Sequence, residues 1–274
     1  MDWRRFRPGE ARRIRTVGKS CLDLTGRVAV IFGGTSGLGK SIAIGLAEHG
    51  ADVVPGGRRA ELLEATCKEI EGGGRRTIRQ AVDVTDRSSI REFRDRVLRD
   101  FGRVDILVNA AGTTLKKPTI EVKDSEWEGL FRVNLTGVLQ CCQEFYQPLK
   151  ESGAGRVINI ASLSSYLAFH QVATYSATKA GVLSLTRSLA CEWAPDRICV
   201  NAIAPGVFPT ELNSHLLRGT KRGEEILLRT PMARFGEAHE VVGAAVLLAS
   251  DGASFITGHC LAVDGGYLAS GVNS

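Results

Sequence analysis

The sequence predicts a single α/β domain in which a parallel sheet is covered by helices on both faces. Three observations lead there. Short apolar runs such as Arg27 to Phe32 (RVAVIF) alternate with stretches of helical period, the alternation that builds βαβ units. The first run passes through a glycine-rich loop, Gly33-Gly-Thr-Ser-Gly-Leu-Gly39, into a helical pattern that carries Ile42 and Leu46 and stops at Gly50. No Pro/Ser-rich linker, low-complexity tract or internal repeat divides the 274 residues, and 43% hydrophobic content suffices for one large core.

Taken in order, the first unit is strand, glycine loop, helix. Glycines let backbone N–H groups approach a phosphate, and the helix N-terminus adds partial positive charge. Gly34 to Ser41 satisfies the P-loop pattern of glycine, four residues, then Gly-Lys-Ser, with Lys40 as its lysine. The second strand, Ala51 to Arg59, ends in a turn, and Pro55 is read as marking its early end. A helix from about Ala60 to Glu71, a glycine break at 72–74 and a third strand to Val84 follow. Asp83 stands at that strand's end, where aspartate is ordinarily a turn former. Ser88 to Phe101 reads as a helix, and Val104 to Gly112 as a fourth strand closing in Asn109-Ala-Ala-Gly112. Asp124 to Lys150 is expected to be one long helix carrying Asn134, a residue that ordinarily faces solvent or packing. Gly155 to Ala161 is the fifth strand and leads into Ser162.

Tyr175 and Lys179 lie four residues apart at the start of a helical pattern, so both side chains project from one face. A cation within ~4–6 Å lowers a neighbouring acid's pKa by roughly 1–3 units. A phenol of ordinary pKa about 10 then exchanges protons nearer neutrality. Ser162, thirteen residues upstream at a strand end, is placed to polarise a carbonyl oxygen. Spacing alone is weak evidence, because most Tyr-x-x-x-Lys pairs on helices are surface contacts.

The company these residues keep resembles the short-chain dehydrogenase/reductase family over residues 22 to about 268. The likeness rests on the Gly33-x-x-x-Gly37-x-Gly39 loop, Asp83, Asn109-Ala-Ala-Gly112, Asn134, Ser162, Tyr175, Lys179 and Pro205-Gly206, in order. It implies a single doubly wound Rossmann domain of about seven parallel strands with helices on both faces. Arg197 to Gly206 then resembles the sixth strand with its cofactor loop, and Ile256 to Gly266 the last. By the same likeness, Asn134, Ser162, Tyr175 and Lys179 form a catalytic tetrad, with Asn134 seating a water in the proton path. Gly33, Ser36, Gly37, Leu38, Gly39, Arg58, Asp83 and Val84 would hold the adenosine and pyrophosphate. Asn109, Ala110, Gly112, Pro205, Gly206, Val207 and Thr210, with Tyr175 and Lys179, would hold the nicotinamide half. An acid at the end of the second strand would bind the ribose 2′-OH of NAD. Here Gly57 occupies that position and Arg58 follows, which favours NADP over NAD. Phe32 departs from the family, where a threonine commonly precedes the first glycine, and the lost hydroxyl is expected to weaken cofactor binding.

The reaction implied is hydride transfer between the cofactor and a carbonyl or secondary alcohol. Arg229-Thr-Pro-Met-Ala-Arg-Phe-Gly236 and the ending Thr257-Gly-His-Cys-Leu-Ala-Val-Asp-Gly-Gly-Tyr267 look like members acting on sugar acids such as ketogluconate, with 3-oxoacyl-acyl-carrier-protein reductases as the alternative. A lid at about 207–234 carries Arg218, Lys221, Arg222 and Arg229, partly offset by Glu211, Glu224 and Glu225. The resemblance also implies a homotetramer or homodimer. Two rivals remain, a P-loop NTPase, for which Asp264 would be the magnesium acid, and a non-catalytic dinucleotide sensor. Asp264 sits at the extreme C-terminal end and a P-loop protein has no use for Asn109-Ala-Ala-Gly112, while the intact tetrad speaks against the sensor.

Composition narrows the rest. Seven cysteines, odd in number and without Cys-x-x-Cys spacing, imply neither a disulfide framework nor a zinc site, and fit a reducing, cytoplasmic setting. Residues 1–20 carry seven of the 35 basic and two of the 30 acidic residues, so the remainder is neutral and no nucleic-acid surface is implied. That N-terminal arm is expected to be a poorly ordered, solvated tail or a transit peptide, with the dehydrogenase-like domain at 21–274. No apolar run approaches the ~18 residues of a membrane span.

Overall fold

The computed structural model describes residues 20–210, 214, 217 and 219–271. The arm at 1–19, and Glu211 and Arg218 of the expected lid, lie outside the described residues. Six parallel strands form one sheet in the order β2-β1-β3-β4-β5-β6. They are β1 (Val28–Phe32), β2 (Asp52–Gly56), β3 (Ile106–Asn109), β4 (Arg156–Ile160), β5 (Cys199–Pro205) and β6 (Cys260–Val263). The helices are α1 (Gly37–Glu48), α2 (Ala60–Gly72), α3 (Arg87–Phe101), α4 (Asp124–Phe131), α5 (Gly137–Glu151), α6 (Ala173–Trp193), α7 (Lys221–Arg229) and α8 (Val242–Ala249). No helix among the described residues is long and apolar enough to cross a membrane.

Strand alternation divides the core into two layers. Val28, Val30 and Phe32 of β1 pack with Phe93 of α3, Phe145 of α5 and Val182 of α6. Ala29 and Ile31 face the other way, toward Ile42 and Leu46 of α1 and Val246 of α8. A strand buried on both faces must read as a continuous apolar run, which is why RVAVIF was legible. All the strands run the same way, but the chain goes outward from β1 to β2 on one side and then to β3 on the other, so the loops at the C-terminal ends of β1 and β3 open a crevice where ligands bind in such sheets.

The expected count of about seven strands is corrected to six, and Pro55 supplies the reason. It does not end β2 but pairs in register with Ile31. Asp52 N–H donates to Arg27 O on the β1 side (2.9 Å), so Val53 and Pro55, its alternating neighbours, face the other edge. There Val53 N–H reaches Arg76 O (3.0 Å) and Val82 N–H reaches Gly57 O (3.1 Å), while Pro55 between them has no N–H to give. Ile78 O, two residues beyond Arg76, receives the Cys67 thiol at 3.5 Å instead. The segment leading to Val84 therefore runs beside β2 without joining it in a ladder.

The long helix expected from Asp124 to Lys150 is also corrected. A π-helical turn at Arg132–Thr136 separates α4 from α5, with buried Asn134 at its centre. Such single π turns recur at functional sites because they re-aim one side chain within an otherwise regular helix.

Candidate active site

The glycine loop is fixed by β2 and cannot carry side chains. Gly33 and Gly34 both donate to Gly56 O, at 2.9 and 3.1 Å. Gly33 has φ +78°, and a Cβ there would lie 2.5 Å from Ala111 N; one on Gly39 would lie 2.1 Å from Gly33 O. Ser36, the residue before α1, makes no capping bond to the helix, and its hydroxyl accepts instead from Arg59 Nη2 (3.1 Å). The first-turn N–H groups of α1 are thus left without a side-chain cap beside a cleft, the arrangement that holds a phosphate.

That cleft, of ≈ 980 Å³, runs from the glycine loop to the start of α6. Of the residues expected from sequence, Gly33, Ser36, Gly37, Leu38, Gly39, Arg58, Asp83 and Val84 line one part of it. Ala110, Gly112, Ser162, Tyr175, Lys179, Pro205, Gly206, Val207 and Thr210 line the rest. Asn109 and Asn134 do not line it. Asn109 is buried, its amide donating to Asn159 Oδ1 (2.8 Å) and Cys142 Sγ (3.3 Å), so it ties β3 to β4 beneath the cleft. Asn134 exchanges two bonds of 2.9 Å with the Thr113 backbone and donates to Thr178 Oγ1 (3.1 Å). Both asparagines hold the cleft's wall from behind.

Lys40 forms an ion pair with Glu69 (2.7 Å) and does not line the cleft. Asp264 accepts from the backbone of Gly266 (2.9 Å) and Leu268 (2.8 Å), shaping a turn after β6. Neither residue serves the P-loop reading. At the other end, Asp83 accepts from Thr85 N (2.9 Å) as the turn former expected of it, and also lies 3.7 Å from Arg58. A Cβ on Gly57 would meet Thr35 Oγ1 at 2.5 Å, so no acid fits there without moving Thr35.

Ser162 caps a short turn at Leu163–Ser165 that follows β4. Its Oγ accepts from Ser164 N (3.2 Å) and from the Ser164 hydroxyl (2.9 Å), which leaves its own proton to donate. The Ser165 hydroxyl donates to Lys179 O (2.8 Å) and so fastens the turn to α6. The Lys179 ammonium donates to Ile160 O (2.7 Å) and stands 5.8 Å from the centre of the Tyr175 ring. Burial pushes its pKa down to about 8.

The expected lowering of the Tyr175 pKa by Lys179 is not what this geometry produces. Burial raises the phenol's pKa, the Ser162 hydroxyl partly offsets it, and Lys179 is not among the causes. The physical reason is that removing a phenolate from water costs more than one hydrogen bond returns. At pH 7 Tyr175 is therefore neutral and keeps its proton, beside a lysine whose pKa is about 8.

Sequence reading missed Thr35, Lys116, Ser164 and Phe169, all of which line the cleft. Only Ser164 left a local signal, two residues from Ser162 on the same turn. The fit to a dinucleotide is good: the glycines leave room for a backbone cradle, basic residues stand at the adenosine end, and one proton donor faces the opposite end. Among the described residues no cluster of three or more His, Cys, Asp or Glu could hold a metal ion.

The chain is similar to known proteins along most of its length. Residues 33–268 match the family model described as enoyl-(acyl carrier protein) reductase. Gluconate 5-dehydrogenase of Gluconobacter oxydans (strain 621H) is 36% identical over 248 residues, 90% of this chain and 97% of the relative. The 3-oxoacyl-acyl-carrier-protein reductase of Thermotoga maritima is 35% identical over 245 residues, 89% of this chain and 99% of the relative. Among solved structures, a gluconate 5-dehydrogenase from Burkholderia cenocepacia J2315 in complex with NADP and tartrate superposes with a TM-score of 0.87. It is 36% identical, over 91% of this chain and 98% of that one.

Proposed function

The chain belongs to the short-chain dehydrogenase/reductase family, and from that premise we propose that it is an NADPH-dependent oxidoreductase interconverting a keto sugar acid and its hydroxy acid. The observation that carries the reading is the convergence of Ser162, Tyr175 and Lys179 on the cleft that the glycine loop opens. The gluconate-related names and the bound NADP of the similar proteins support the substrate class and the cofactor.

In this reading Gly33, Ser36, Gly37, Leu38 and Gly39 hold the pyrophosphate, and Arg58 with Arg59 the 2′-phosphate. Asp83 and Val84 flank the adenine, and Ala110, Gly112, Pro205, Gly206, Val207 and Thr210 enclose the nicotinamide half. The bound nicotinamide supplies or accepts the hydride. Ser162, whose proton lies toward Tyr175, turns it to the substrate oxygen when substrate enters and steadies the negative charge that develops there. Tyr175 delivers the proton that makes the alcohol, and Lys179 holds the ribose and restores that proton. Asn134 acts by holding the Thr113 backbone, and Asn109 by fixing β3 to β4.

A homotetramer or homodimer belongs to the same proposal. Phe255, fully exposed before β6, is a large apolar side chain that a second copy would cover, and light scattering would register the association. The seven free cysteines support a cytoplasmic, reducing setting.

The deciding experiment follows NADPH oxidation with 5-keto-D-gluconate, 2-dehydro-3-deoxy-D-gluconate and a 3-oxoacyl thioester in parallel. Turnover of a keto sugar acid supports the assignment. Turnover of the thioester alone would transfer it to acyl-carrier reduction.

A further inference from the structure

Resting on that reading of the reaction, we propose that Arg222 is the residue that recognises the substrate's carboxylate, with Lys116 as a second cation near it. The charged residues lining the cleft sort by position. Asp83 is the one acid among them, and it stands with Arg58 at the adenosine end, 3.7 Å away. Arg59 donates to Ser36 Oγ beside the glycine loop (3.1 Å), and Lys179 is buried and donates to Ile160 O. Lys116 and Arg222 remain, and both adjoin the loop before α6. Lys117 N–H donates to Gln171 O (2.8 Å), and Arg222 Nη1 donates to His170 O (3.3 Å). Neither cation has a carboxylate within ion-pair reach among the described residues.

The helix that carries Arg222 is built to turn it inward. Arg222 and Ile226, four residues apart on α7, share a face and both line the cleft, whereas Glu224 and Glu225 are exposed outside it. Thr220 caps the helix through Gly223 N (3.1 Å), which fixes where Arg222 begins. The guanidinium lies over the Phe169 ring, 6.0 Å from its centre. Phe169 stacks on Tyr267 at 5.9 Å, and the Arg229 guanidinium lies over the Tyr267 ring, 6.0 Å from its centre. Two arginines seven residues apart thus grip one aromatic pair and hold α7 over the cleft.

One N–H of Arg222 is spent on His170 O. The rest of its planar fork is free to meet a carboxylate with two parallel bonds, which a neutral hydroxyl cannot match. Among the described residues, the part of the cleft away from Asp83 is lined by three cations, Lys116, Lys179 and Arg222, and no acid, which selects an anion, and the planar guanidinium selects a carboxylate. The sugar acid is therefore read by its charge at C1 as well as by its keto carbon.

The test is calorimetric titration of D-gluconate, and of neutral D-glucitol, into the NADP-loaded protein. Wild type should bind gluconate more tightly than glucitol, with a preference that weakens as salt rises. Arg222→Leu should lower gluconate affinity about ten- to a hundredfold, the weight of a charged hydrogen-bonded contact. Arg222→Lys should recover part of it, and Lys116→Gln should cost less. Retained NADPH binding checks that each variant is folded, and the salt dependence of the wild type reads the same contact without any substitution. Equal affinity for gluconate and glucitol in wild type, or gluconate affinity unchanged in Arg222→Leu, overturns the assignment. Gluconate bound through Arg222 by an enzyme that reduces no keto acid supports the subsite and overturns the reaction. Keto-acid reduction of equal efficiency in wild type and Arg222→Leu overturns the subsite and leaves the reaction standing.

Discussion

Lys179→Met should make the protein more stable at neutral pH while it abolishes turnover. The side chain is buried, and its pKa falls from 10.5 to about 8 because an ammonium is poorly solvated there. At about 1.4 kcal/mol per decade, holding that charge inside costs the folded state on the order of 3 kcal/mol. Methionine fills similar space without charge, but Ile160 O loses its donor, a loss of about 1 kcal/mol. A net gain of roughly 2 kcal/mol would raise the midpoint of thermal unfolding by about 4–8 °C in a domain of this size.

The sign with pH follows from linkage. Between pH 8 and 10.5 the unfolded chain still binds the Lys179 proton and the folded chain does not, so wild-type stability gains from this group as pH rises through that window. The variant has no such gain. Its advantage should be full below pH 8, shrink above it, and end as a small deficit. Parallel melts followed by tryptophan fluorescence from pH 6.5 to 10 measure this, and only the difference between the two proteins is used. Burial raises the pKa of several thiols, including Cys67 and Cys141, and those terms cancel in the difference. A difference that stays constant with pH, or a variant less stable at pH 7, would refute the argument.

Tyr175→Phe should keep NADPH binding and lose turnover by about 10²–10⁴-fold, since only the proton donor is removed; single-turnover absorbance at 340 nm separates the two effects. Ser164→Ala removes one of the two donors on Ser162 Oγ. Its turnover should fall by up to about tenfold, and the alkaline rise of alcohol oxidation should move to higher pH as Ser162 donates less firmly to the phenolate. Ser164→Thr should restore both. Arg58→Ala should cut NADPH affinity about ten- to a hundredfold and erase the preference over NADH, as read by fluorescence titration of both cofactors. Lys40→Ala, which breaks only the ion pair to Glu69, should leave dinucleotide affinity within a few-fold.

What was legible in the sequence was local. The glycine loop, the Tyr175/Lys179 pair and the strand ending at Ser162 each depend on residues within one or two turns of one another. Spacing therefore specified their geometry. The directions of Asn109 and Asn134 depend on Asn159, Thr113 and Thr178, which lie far away in sequence, and the residue types alone gave no sign that both turn from the cleft. Pro55 looks like a strand end in the sequence, because which edge of β2 its missing N–H faces is settled only by pairing with β1. The Tyr175 pKa went wrong for a related reason: spacing places a cation near a phenol, but not the water that burial removes from it.

Phe32 shows how a departure from the family's pattern is absorbed. Its ring lies 5.5 Å from that of Phe93 and 5.6 Å from that of Phe145, the second contact edge-on. Each such pair contributes about 0.5–1.5 kcal/mol beyond its buried area. Below it, Asn109 Oδ1 is buried without a partner, a group that costs about 1–3 kcal/mol when a bond is withheld. The two sums are comparable, so the aromatic packing of Phe32 offsets the cost of that unpaired oxygen. The glycine loop does not depend on that exchange, because Gly33 and Gly34 are both anchored to Gly56 O. Loss of the threonine should therefore act on the stiffness of β3 against β1, through Asn109, and leave the phosphate cradle itself intact.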